Sequence, residues 1–209
     1  MPRPSRWPEI VETAARLFQE KGYDATSLED IAGEVGIWKG SIYHYIDSKE
    51  QLLFAVVRDP ADHILSQVRE IADLDLPPSE KIRRVAHAHA HTLDTTFVYA
   101  SVYLQEIAGR HRSAEWSAMD REYVATIATM IEEGMEAGEF STFLDPRTAT
   151  LALIGALNWM THWYRPEGPT PATVFAEQIS TMFLNGAVTR ARKPVAGAAK
   201  APAKRRRTG

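Results

Sequence analysis

Between Thr26 and Lys49 the chain reads TSLEDIAGEVGIWKGSIYHYIDSK, and this stretch holds the residue types whose spacing is most suggestive of a task. Ala32 is small enough for two helices to touch over it. Gly36, four residues on, suits a chain reversal with positive φ, which a Cβ-bearing residue resists. Ile42, ten residues after Ala32, is placed to dock a second short helix. That second segment keeps a polar and aromatic outer face: Lys39, Ser41, Tyr43, His44 and Tyr45. Such a face packs poorly but is well equipped to meet phosphates and base edges. The spacing therefore reads as a helix-turn-helix.

The elements needed to hold this unit are legible on either side. Ile10, Ala14, Leu17 and Phe18 recur at helical spacing up to Gly22. Thr26 and Ser27 both offer a cap for the helix carrying Leu28, Ile31, Ala32 and Val35. A third short helix is expected over about Lys39–Tyr45. Ser48, with Gln51 three residues on, opens a long fourth helix with a kink expected at Pro60. Pro77-Pro78 ends the connection, and helices follow at roughly 79–95, 98–110 and 115–137. Asp145-Pro146 and Thr170-Pro171 start two more, the first ending before Arg165-Pro166. Strand alternation is nearly absent, so an all-α chain of nine helices without internal repeat is expected.

Charge is unevenly distributed. Of 24 lysines and arginines and 27 acids, eight basic residues and no acids fall from Arg190 onward. This leaves 16 basic against 27 acidic side chains before it, a body near −11. A body so acidic is no general nucleic-acid binder, and DNA contact must come from a small local surface. The tail, rich in Ala, Pro, Lys and Arg, is expected to be disordered over 191–209. It is either a simple solvated terminus or a polycation adding salt-dependent DNA affinity.

No apolar run is long enough for a membrane span. Arg3, Arg6 and Trp7 lead into an amphipathic pattern rather than an apolar leader, and cysteine is absent. A cytoplasmic protein without disulfides or a thiolate metal site is expected. No nucleophile elbow, P-loop or zinc-protease motif occurs, so neither catalysis nor a cofactor is expected. In the run His87-Ala88-His89-Ala90-His91, His87 and His91 share a helix face while His89 points elsewhere. Two imidazoles without a third ligand make a weak metal site.

Lys39-Gly40-Ser41-Ile42-Tyr43-His44-Tyr45-Ile46 followed by Ser48-Lys49-Glu50 resembles the signature of the TetR family of regulators. The likeness is close over about residues 8–56. Trp38 stands where that family usually has a small capping residue, and Ile46 replaces a phenylalanine. The resemblance implies a three-helix DNA-binding domain over 1–52 and a helical ligand-binding and dimerisation domain over 53–190. It further implies that Thr26 or Ser27 meets a phosphate at the start of the second helix. Lys39, Gly40, Ser41, Tyr43 and His44 would line the major groove, while Tyr45 and Lys49 would hold the backbone. Trp38 would touch DNA or pack on the first helix, and Tyr45 could equally be core.

Asn158-Trp159 through Trp163-Tyr164-Arg165-Pro166 and Gly168 is similar to a subgroup of that family answering to acyl-CoA thioesters of fatty-acid or steroid breakdown. This implies a homodimeric repressor of a palindromic operator, released by a small apolar effector. Alternatives are control of efflux or stress genes by another hydrophobic molecule, and ligand-independent regulation. Tyr103, Met119, Tyr123, Met130, Asn158, Trp159 and Trp163 are the expected lining of an acyl tube. Arg110, Arg112 or Arg165 would meet phosphates at its mouth.

Overall fold

The computed structural model describes residues 5–107 and 114–187, and these are helical with no β-strand among them. The first three helices are α1 (Trp7–Lys21), α2 (Leu28–Val35) and α3 (Lys39–Ile42). Then come α4 (Lys49–Ala72), α5 (Pro78–Thr95) and α6 (Phe97–Val102), which continues as a π-helical turn, Tyr103–Ile107. The last are α7 (Ala114–Glu136), α8 (Pro146–Asn158) with a 3-10 turn at Trp159–His162, and α9 (Ala172–Ala187). Nine α-helices among the described residues match the expectation. The basic tail and Arg110 and Arg112 lie outside the described residues.

Local signals set the boundaries. Asp145 caps α8, its carboxylate accepting the Thr148 N–H at 2.8 Å, with Pro146 at the first helical position. At α4 the Ser48 hydroxyl accepts the Gln51 N–H at 3.1 Å, while the Gln51 side chain accepts the Asp47 N–H at 2.7 Å. The helix then runs on through Pro60 to Ala72.

Two apolar clusters organise the body. One gathers α1 to α3 and the first turns of α4, and reaches Val102 on α6 and Trp116 on α7. The other joins Val68 of α4 to α5, α7, α8 and α9 around Ile82, Leu93, Ile127, Leu153 and Leu157. Helix α5 packs on α9, α7 on α8, and α4 on both α5 and α7. Helix α4 thus belongs to both clusters.

Candidate nucleic-acid interface and the cavity behind it

The turn between α2 and α3 is built as its residue types require. Gly36 sits at φ 73°, ψ 37°, in the left-handed region. Its N–H reaches the Gly33 carbonyl at 3.2 Å and the Ile37 N–H reaches the Ala32 carbonyl at 2.9 Å, the paired bonds of a Schellman stop. Ile42 and Ile46 are buried and dock α3 on α1 and α2. At the other end of α2, Ser27 and Asp30 form a reciprocal capping box, with Ser27 Oγ accepting the Asp30 N–H and Asp30 accepting the Ser27 N–H.

This arrangement leaves Trp38, Lys39, Gly40, Tyr43, His44 and Tyr45 exposed and Ser41 half-buried. Trp38 is 88% exposed. The α-helical part of α3 is shorter than expected: it ends at Ile42, and a tighter turn follows in which the Tyr45 N–H reaches back three residues to Ile42. Tyr45 neither enters the core nor stands free, but stacks on Trp7 with centroids 5.7 Å apart. The Lys39 ammonium pairs with Glu29 on α2.

Two expected contact residues are engaged internally. Thr26 is buried, and its hydroxyl donates to the Leu17 and Gly22 carbonyls at 3.1 and 2.8 Å. Its side chain therefore fastens α1 to α2, and Ser27 is the cap. The Lys49 ammonium lies 4.1 Å from the centre of the Tyr23 ring, where desolvation lowers its pKa.

Behind the head lies a cavity of about 280 Å³ between α4, α5, α6, the π-helical turn, α7 and α8. Its walls are mostly apolar: Val57, Pro60, Ala61, Ile64 and Leu65 from α4, Leu93 from α5, Trp116 and Met119 from α7, Leu151 and Ile154 from α8. Tyr103, Met119, Tyr123 and Asn158 of the expected lining are there.

The other expected residues are not on that wall. Met130 is packed among Ile127, Ile131 and their neighbours in the second core, one end of α7 facing the cavity and the other the core. Trp159 is 61% exposed and stacks on His162, since the α-helix tightens into a 3-10 turn after Asn158 and the four-residue spacing no longer sets one face. Trp163, also exposed, packs edge-on against Phe175 of α9. Arg165 donates to the Tyr164 carbonyl and does not line the cavity.

His89 lines the cavity, its Nδ1 2.9 Å from the Tyr123 hydroxyl. Burial drives its pKa down to about 4 against an opposing Asn158 hydrogen bond, so the ring is neutral at pH 7. The signal was the alternation itself, because residues two apart on a helix face nearly opposite ways. His87 faces outward, 3.0 Å from Glu177 of α9. Among the described residues no three candidate ligands cluster for a metal. Also among them, no helix is long and apolar enough to cross a membrane.

Head and cavity together define a regulator that reads DNA at one end and encloses a space at the other. Residues 10–56 match the family "Bacterial regulatory proteins, tetR family", and residues 75–187 match "Tetracyclin repressor-like, C-terminal domain". The chain belongs to the TetR family, and it is a regulator rather than an enzyme. It is 28% identical over 184 residues to the HTH-type transcriptional repressor KstR2 of Rhodococcus jostii, covering 87% of this chain and 90% of that one. The structure of the ketosteroid transcriptional regulator KstR2 of Mycobacterium tuberculosis superposes with a TM-score of 0.81 at 26% identity, over 90% and 97% of the two chains. AibR, solved with isovaleryl coenzyme A and operator DNA, shares the fold at a TM-score of 0.73 and 24% identity, over 85% and 97%.

Proposed function

We propose that this chain is a ligand-responsive transcriptional repressor that binds a palindromic operator as a cytoplasmic homodimer and is released by an apolar effector, an acyl-CoA thioester. The observation that carries the reading is the double membership of α4. Its first turn, with Ser48 and Lys49, belongs to the head, and Val57 to Leu65 further along wall the cavity. A ligand that needs these walls apart tilts the head, and repression lifts by the ligand's differential affinity for the two geometries. KstR2 is named as a repressor and AibR was crystallised with a CoA thioester and DNA, which supports the same pairing here.

In this reading Trp38, Lys39, Gly40, Ser41, Tyr43 and His44 meet the major groove, and Ser27 and Tyr45 border it. A dimer fits successive grooves at one head separation only. The pairing face is the outer side of α8 and α9, where Val174 and Met182 of α9 are exposed, Met182 at 76%. A cavity of about 280 Å³ sits just below the usual size of ligand sites, roughly 300–1,000 Å³. It takes an acyl group and leaves the nucleotide part of CoA outside.

The test is fluorescence anisotropy of the protein on DNA from upstream of its own gene. Isovaleryl-CoA, oleoyl-CoA, a steroid-acid CoA and free CoA are titrated in turn. Release by a thioester but not by free CoA is expected; release by none rejects the effector class. Native mass spectrometry of the same sample reads the dimer.

A further inference from the structure

The cavity is mostly apolar, and beside Thr92, Thr96, Tyr99 and the Tyr103–Asp120 pair three helices each contribute a further polar group. His89 comes from α5, Tyr123 from α7 and Asn158 from α8. Tyr123 Oη lies 2.9 Å from His89 Nδ1. Asn158, opposite the ring, acts against the burial that lowers the His89 pKa. A neutral imidazole has one donor and one acceptor, so in the tautomer whose Nδ1 accepts from the Tyr123 hydroxyl the other ring nitrogen is the donor. The Asn158 amide carries two N–H donors, and Asn158 and Tyr123 line the same cavity.

Charge settles what these donors can receive. No lysine or arginine lines the cavity among the described residues, and its charged side chain, Asp120, is acidic. A carboxylate entering this space would be desolvated without a cationic partner. A carbonyl oxygen loses little water and accepts readily. We propose that His89, Tyr123 and Asn158 form a subsite for an uncharged carbonyl oxygen on the apolar body of the effector, and that it refuses carboxylates. The inference rests on the cavity being the effector site, and it adds which ligands that site selects.

The probes are 2-nonanone and nonanoate, of similar length and differing in head charge, titrated calorimetrically into the full chain at pH 7. The expected result is binding of the ketone and at least tenfold weaker binding of the acid. Asn158→Leu, which keeps the volume and removes the donors, weakens the ketone about tenfold, and Tyr123→Phe weakens it by a smaller factor. Thermal unfolding checks that both variants fold, and the wild-type preference needs no substitution. Nonanoate binding as tightly as the ketone overturns the subsite, as does unchanged ketone affinity in both folded variants. Ile154→Trp, which fills the cavity, separates the two readings. If it blocks thioester-driven operator release while the ketone preference is missing, the subsite falls and the effector cavity stands. If wild type binds neither probe and no thioester, both fall.

Discussion

The carboxylate of Glu106 accepts the backbone N–H of Tyr23 at 3.1 Å, across 83 residues of sequence. Glu106 is buried in the π-helical turn whose Tyr103 and Leu104 line the cavity, and Tyr23 lies in the α1–α2 turn beneath the Lys49 ammonium. One hydrogen bond thus ties the cavity wall to the reading head. Interrupted helical geometry of this kind is frequent at functional sites.

Replacing Glu106 by Leu removes the acceptor of a buried amide, at a cost of about 1–3 kcal/mol in denaturant unfolding. Glu106→Gln keeps an accepting oxygen and most of that stability. The ratio of operator affinities without and with effector should shrink several-fold in Glu106→Leu. An unchanged ratio would show that the message travels through α4 alone.

Gly36→Ala tests the turn. A Cβ at Gly36 meets no atom within 4 Å, so the penalty is confined to a backbone at φ 73°. It should be about 1–2 kcal/mol, lowering the melting temperature by roughly 2–4 °C per kcal/mol for a chain of this size. A melting temperature equal to wild type would contradict the left-handed turn.

Trp38→Ala removes an exposed side chain, so stability should move by less than about 0.5 kcal/mol. Operator affinity should fall about tenfold, with the salt dependence unaltered because the contact is apolar. Lys39→Ala should instead reduce the slope of log affinity against log salt by about one. Equal salt slopes in the two variants would remove the distinction between groove and phosphate contacts drawn for them.

His89 makes stability depend on pH with a definite sign. Its folded pKa, about 4, lies below the ordinary value of 6.5, so the unfolded chain binds the proton more readily between them. Stability is therefore complete above about pH 6.5 and lost as pH falls towards 4, by up to about 3 kcal/mol. Tyr123 and Asp120 face the same space from α7 and remain in any variant. Urea unfolding of wild type and His89→Gln at pH 7 and 4.5 isolates the imidazole: wild type should lose more stability on acidification. Parallel losses would place a charged or solvated ring at this position.

The amino-acid order alone determined the turn of the reading head, because the interactions that set that turn are local. The Ser27 cap, the Gly36 reversal and the Ile42 anchor fall within sixteen residues, and each residue type has few other uses at its position. Even there, tertiary packing chose between Thr26 and Ser27, burying one hydroxyl and leaving the other to the helix end. The cavity was a matter of tertiary structure. Its walls run from Val57 to Asn158, and Met or Trp at helical spacing suits a packed core as well as a pocket. Met119 and Met130 ride the same helix, yet one faces the void and the other the core, because α7 changes neighbours along its length. Periodicity records that a side chain turns inward; only the neighbouring helices decide whether it meets another side chain or an empty space.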